Sequence, residues 1–215
     1  MFRRAAALVL LAAVSLPMTG CNIATGVAYA VEGPPKRDAA YTLPPESKIV
    51  VFLDDRATVI PQASFRRGVA MRATEIIVQE KRLVAGGITP TAATRVAERE
   101  AYDEPMAIDD IGREIGATHV IYVNPVQWTL VNNAIPQPVA VYRVKIIEVA
   151  TGRRLWPSEE AGAAVVVQMA PKTDSQYSRD EFELLSQRLA EFSGLRIAEL
   201  FYEHEPNPLD GRRSE

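Results

Sequence analysis

Two short runs constrain this chain more than any other feature: Ile49-Val50-Val51-Phe52-Leu53 and Thr118-His119-Val120-Ile121-Tyr122-Val123. Neither shows the alternation of a strand with one wet face. Each therefore reads as a strand apolar on both sides, of the kind that sits inside a sheet. A third run, Val139 to Val149, does alternate: Ala140, Tyr142, Val144 and Ile146 lie between Arg143 and Lys145, the pattern of a strand with one buried face. Hydrophobic residues make up 47% of the chain, enough for one globular core of roughly 150 residues after Lys48.

The remaining elements follow from spacing. Ser64 is placed to cap a helix reaching Lys81, with Phe65, Val69, Ala73, Ile76 and Ile77 on one face. A short strand is expected at Leu83 to Ala85, ended by Gly86-Gly87. A weaker helix runs from Thr89 and Thr91 to Ala101, and a clearer one spans Met106 to Ile115 before Gly116. The strand from Thr118 is expected to pass Pro125 with a bulge and continue to Leu130. Asn132 to Pro138 is a loop, Thr151-Gly152 turns a hairpin into Arg153–Trp156, and Ala163 to Met169 is the last strand. Arg179 to Tyr202 is the longest helix, with Phe182, Leu185, Leu189 and Phe192 as its inner stripe. Gly194 within it costs about 1 kcal/mol against alanine. The fold class is α+β: a single mixed sheet of about 4–6 strands and 3–4 helices, with helices and strands in one layer each.

The amino terminus sets the address. Arg3 and Arg4 precede an apolar run from Ala5 to Leu16, then Pro17-Met18-Thr19-Gly20-Cys21. A basic head, an apolar segment short of a bilayer span and small residues before a cut site describe an export signal. Cys21 is the only cysteine. The stretch resembles the lipobox of bacterial lipoproteins, which implies that residues 1–20 are removed, that Cys21 is acylated, and that this lipid holds the chain to a membrane. Asn22 stands where such lipoproteins carry aspartate when kept at the inner membrane, so the periplasmic face of the outer membrane is expected. Residues 21–47 form a tether with the pairs Pro34-Pro35 and Pro44-Pro45; the domain spans 48–202, and 203–215 is a flexible tail.

Loss of residues 1–20 removes two bases and no acid, leaving 22 bases against 27 acids. That balance disfavours a nucleic-acid partner, whose phosphates need clustered Lys and Arg. With Cys21 committed to the anchor, no disulfide forms within the domain.

Two stretches carry a further resemblance. Ile111-Gly112-Arg113-Glu114-Ile115-Gly116-Ala117-Thr118-His119-Val120-Ile121-Tyr122 looks like the junction of helix, Gly-Ala and strand in a group of periplasmic lipoproteins. Glu148-Val149-Ala150-Thr151-Gly152-Arg153-Arg154-Leu155-Trp156 looks like the hairpin of the same group. The group includes the curli secretion lipoprotein CsgG, the amino-terminal domain of TolB and the cell-wall synthesis activator LpoB. The resemblance implies an anticodon-binding-domain-like fold over Lys48 to Tyr202, and says more of fold than of task.

Catalytic motifs are absent from the sequence. It contains no Gly-x-Ser-x-Gly, no phosphate-binding glycine loop, no cysteine pair and no His-Glu-x-x-His. His119 reads as a core or edge histidine, and His204 as a solvated one. Asp54-Asp55 at a strand end are the best acidic candidates, with capping or pairing to Arg56 as their commoner role. Neither a cofactor nor a metal is expected. Two features suit a protein partner: Ile135 in the 132–138 loop, and Arg153, Arg154 and Trp156 on the hairpin. The expected function is a lipid-anchored, non-catalytic envelope protein, an adaptor or accessory subunit with a protein partner. The alternatives are a subunit of a CsgG-like oligomeric secretion pore, which would assemble with its own copies, and an enzyme using Asp54, Asp55 or His119.

Overall fold

The computed structural model describes residues 36–100, 105–131, 137–171 and 179–207. Residues 1–20, Cys21 and Ile135 lie outside the described residues. Every described strand and helix belongs to the compact unit that begins at Arg37.

Strand β1 (Lys48–Leu53) leads into helix α1 (Ala63–Glu75), which ends in a π-helical turn over Ile76–Glu80. Then come β2 (Gly86–Ile88), α2 (Pro90–Ala97), α3 (Ile108–Glu114), β3 (His119–Thr129), β4 (Val139–Glu148), β5 (Arg154–Trp156), β6 (Ala163–Gln168) and α4 (Arg179–Ala198). The sheet is mixed, in the order β2-β1-β3-β4-β5, with β6 also paired to β4. β1 is parallel to both β2 and β3, while every pair made by β4 is antiparallel. The α+β class with one mixed sheet is the class expected.

The layering differs from expectation. Helices cover both faces of the sheet instead of one. On one face α1 and α4 bury Ile49, Val51, Ile121, Val123, Tyr142, Val144 and Ile146. On the other, α2 and α3 bury Val50, Phe52, Val120, Ile147 and Val149. The cause lies in β1 and β3 themselves, whose alternate side chains are apolar in both directions and need cover on both sides.

Three local departures have clear causes. The second strand forms at Gly86-Gly87-Ile88 and not at Leu83–Ala85, so the glycine pair lies inside the strand. A Cβ on Gly87 would stand 2.7 Å from Val78 Cγ2, so only glycine lets this strand lie so close to α1 and its π-helical turn. Gln62, not Ser64, takes the N-cap position of α1, and the Ser64 hydroxyl contacts the Gln62 side chain at 3.2 Å. Phe182 lies exposed on α4, whose buried stripe is instead Ser186, Leu189, Ala190, Ser193, Ile197 and Ala198. Leu189 of the expected stripe is buried and Phe192 packs partly buried against the core, while small residues take the positions where α1 and α4 cross closely. A Cβ on Gly194 would meet Val69 O and Arg72 Cβ, both at 2.7 Å.

The expected positive-φ turns form at Gly116 (φ 72°) and Gly152 (φ 67°), and β3 shifts register between Pro125 and Gln127. The segment before β1 lies on the domain. Arg37 N–H donates to His204 O (2.7 Å), His204 N–H donates back (3.0 Å), and Ala40 N–H donates to Leu200 O (2.8 Å). Leu43 is buried and the Tyr41 ring lies 6.2 Å from that of Trp156. Among the described residues no helix is long and apolar enough to cross a membrane.

Candidate functional site

The carboxyl end of β1 is where a parallel pair of strands presents its first loop, and ligand groups gather at such ends. The chain leaves β1 there through Asp54, Asp55 and Arg56. Asp55 faces inward, with a side chain only 1% exposed. Its carboxylate accepts the backbone N–H groups of Val59 (2.7 Å) and Ile60 (2.9 Å), and Arg66 Nη1 lies 3.4 Å away. The loop it closes contains Thr58 at φ 54°, a left-handed geometry uncommon for threonine. Asp55 thus shapes the path from β1 into α1.

Asp54 accepts the Tyr122 hydroxyl at 3.0 Å and Arg56 Nε at 3.2 Å, while Arg56 Nη2 reaches Glu100 at 3.0 Å. Burial, reinforced by the Asp54 charge, pushes the Tyr122 phenol well above its ordinary range. Both carboxylates therefore spend their lone pairs on hydrogen bonds and ion pairs that hold the loop. Among the described residues, no group of three or more His, Cys, Asp and Glu side chains gathers where it could hold a metal ion.

His119 is not part of this cluster. It pairs with Ile49 at the start of β1, whereas Leu53 at the other end pairs with Val123. Four residues of strand separate the two positions, about 13 Å at 3.3 Å per residue. His119 Nδ1 lies 3.0 Å from Thr118 Oγ1. Burial lowers its pKa against the opposing pull of Glu148, which favours the neutral ring. His204 is tied into the pairing with Arg37.

The hairpin residues separate in the same way. Arg154 donates to Ser158 O (3.1 Å) and Glu160 O (3.2 Å), so its guanidinium braces its own turn. Trp156 is half-buried against the core, near Tyr41. Arg153 alone of the three is exposed. Trp128 likewise packs inward, stacked on Phe65 at 6.1 Å.

A surface that spacing did not single out lies at the other end of the sheet. Among the described residues β6 has one neighbour, β4, so its second edge carries no partner strand. Val166 is 53% exposed there, Val126 is 52% exposed on β3, and Val166 pairs across the sheet with Val141. The signal was present in Val165-Val166-Val167: in a strand the middle valine must face away from its neighbours. Val165 and Val167 are buried beneath α4, and Val166 faces out on the opposite side.

No family model matches the chain, and no curated protein sequence matches it. Solved structures of similar outline exist. The PelC dodecamer from Paraburkholderia phytofirmans is 12% identical, with 78% of this chain and 97% of that chain covered and a TM-score of 0.43. Lipoprotein GNA1162 from Neisseria meningitidis is 10% identical, with 70% and 99% covered and a TM-score of 0.40. Protein XCC0632 from Xanthomonas campestris is 8% identical, with 78% and 90% covered and a TM-score of 0.41. Likeness at this level says nothing of what the chain binds.

Proposed function

We propose that the chain is a lipid-anchored, non-catalytic protein of the cell envelope that acts as an adaptor or accessory subunit by binding another protein. Cys21 after its export leader supports the anchor, and Asn22 supports the periplasmic face of the outer membrane. The observation that carries the binding role is the second edge of β6, which has no partner strand among the described residues, with Val166 exposed on that same strand. An unpaired strand offers a row of backbone donors and acceptors, and apolar side chains next to it add contact area for a partner. The acids at the end of β1 support a non-catalytic reading, because each is engaged in holding its loop.

The pore reading finds less support. A membrane barrel strand needs about 9–11 residues with a lipid-facing side. β6 has 6 residues. β3 and β4 reach that length, but each commits one side to the domain core.

Photocrosslinking in the native host tests the proposal, with the reactive residue at Gln168 on the full chain. Expected is capture of one envelope protein, lost when Val166→Lys is added. The substitution is on the surface and changes stability by no more than about 0.5 kcal/mol. Capture that is unaffected by Val166→Lys would refute the β6 edge as the binding surface. Capture of only its own copies would establish a self-assembling subunit instead.

A further inference from the structure

The cleft at the carboxyl end of β1 is lined by the loop-holding acids together with residues of α1 and α2. Its volume is about 550 Å³, and it opens between α1 and α2. Phe52, Ala63, Ala70, Pro90 and Ala97 give it an apolar lining. That size suits a small organic molecule. Four arginines line it: Arg56, Arg66, Arg67 and Arg95. Arg56 is engaged by Asp54 and Glu100, and Arg66 by Asp55 and Ile60 O. Arg67 on α1 and Arg95 on α2 are exposed, and neither has an ion-pair or hydrogen-bond partner among the described residues. Arg67 from one wall and Arg95 from the other thus both line a partly apolar cleft, with no donor of either engaged among the described residues.

We infer that this cleft binds a phosphate monoester with a small apolar body. A carboxylate offers two oxygens, matched to one fork; a phosphate monoester offers three terminal oxygens and two charges, enough for both forks. The apolar lining takes the organic part. Glu98, the exposed carboxylate among the lining residues, opposes the anion. The protein as a whole is acidic, so recognition operates at contact range, inside the screening length, and not through long-range attraction. The inference is independent of the β6 edge, since the two surfaces belong to different parts of the sheet.

Calorimetric titration of the full chain in nonionic detergent, with phenyl phosphate as the probe, tests it. Expected is saturable binding at one site, weakened about tenfold or more by Arg67→Gln and by Arg95→Gln separately, as for loss of a charge-assisted hydrogen bond. Glu98→Gln is expected to tighten binding, a change of sign that a general loss of structure would not give. Inorganic phosphate should bind more weakly, for want of apolar contact. Phosphatidic acid added to the micelles distinguishes the source: competition assigns the ester to a lipid headgroup, and no competition to a soluble molecule. Absence of saturable binding would overturn the inference. So would equal binding of phenol, or full binding by the Arg67→Gln/Arg95→Gln double variant with an unchanged unfolding temperature.

Discussion

Asp55→Ala is expected to destabilise the domain by about 3 kcal/mol, measured as a lowered urea midpoint at unchanged slope. The side chain is buried and its carboxylate answers two backbone N–H groups and Arg66. Removing it leaves those donors without an acceptor in a place water reaches poorly, and an orphaned buried donor costs about 1–3 kcal/mol. Asp55→Asn keeps one acceptor oxygen and should fall between. The comparison separates structure from catalysis, because catalytic groups are often held at a cost to stability and their removal commonly stabilises. A variant as stable as the parent, or more so, would show that Asp55 is not what holds the turn from β1 into α1.

Gly194→Ala should lower stability by about 2–3 kcal/mol although alanine is the better helix former by about 1 kcal/mol. The new methyl would stand 2.7 Å from both Val69 O and Arg72 Cβ and 3.0 Å from Ala73 N. Two of these are backbone atoms of α1, so relief requires the helices to move apart. That movement loosens the packing of Val69 and Ala73 beneath α4. Thermal unfolding of the variant checks this. A raised melting temperature would mean that helix propensity outweighs the close crossing, and that α1 and α4 do not meet backbone to backbone at Gly194.

Why some of this was legible in sequence and some not is seen in the same residues. β1 and β3 announce themselves because both of their faces are apolar, and β4 because its burial alternates. Gly116 and Gly152 mark turns whose positive φ few other residues adopt readily. Pattern alone did not reveal that the second face of β1 and β3 is covered by α2 and α3, because those helices are short and carry few large apolar residues. Nor did it separate Gly194 as a close-packing residue from Gly194 as a helix weakness, since that depends on which helix lies opposite. The same limit applies to Gly86-Gly87, which reads as a break until Val78 is seen against it.

The site obeys this division too. Asp54 and Asp55 were visible as the acids of a strand end, and their commoner expected role, capping and pairing with Arg56, is the one the geometry gives them. Arg153, Arg154 and Trp156 are neighbours in sequence but not in exposure: one is exposed at the surface, one braces a turn and one packs on the core. Arg67 and Arg95 are 28 positions apart in the sequence and share a cleft only because α1 and α2 flank the end of β1. No spacing rule joins them.

Membrane attachment through Cys21 is the premise on which the envelope function rests, and the mass of the intact protein extracted from native membranes tests it most directly. Expected is a chain that begins at Cys21 and carries covalently bound acyl chains, with Cys21→Ser abolishing the added mass and the membrane association together. An unmodified chain, still bearing residues 1–20 or recovered from the aqueous fraction, would contradict it.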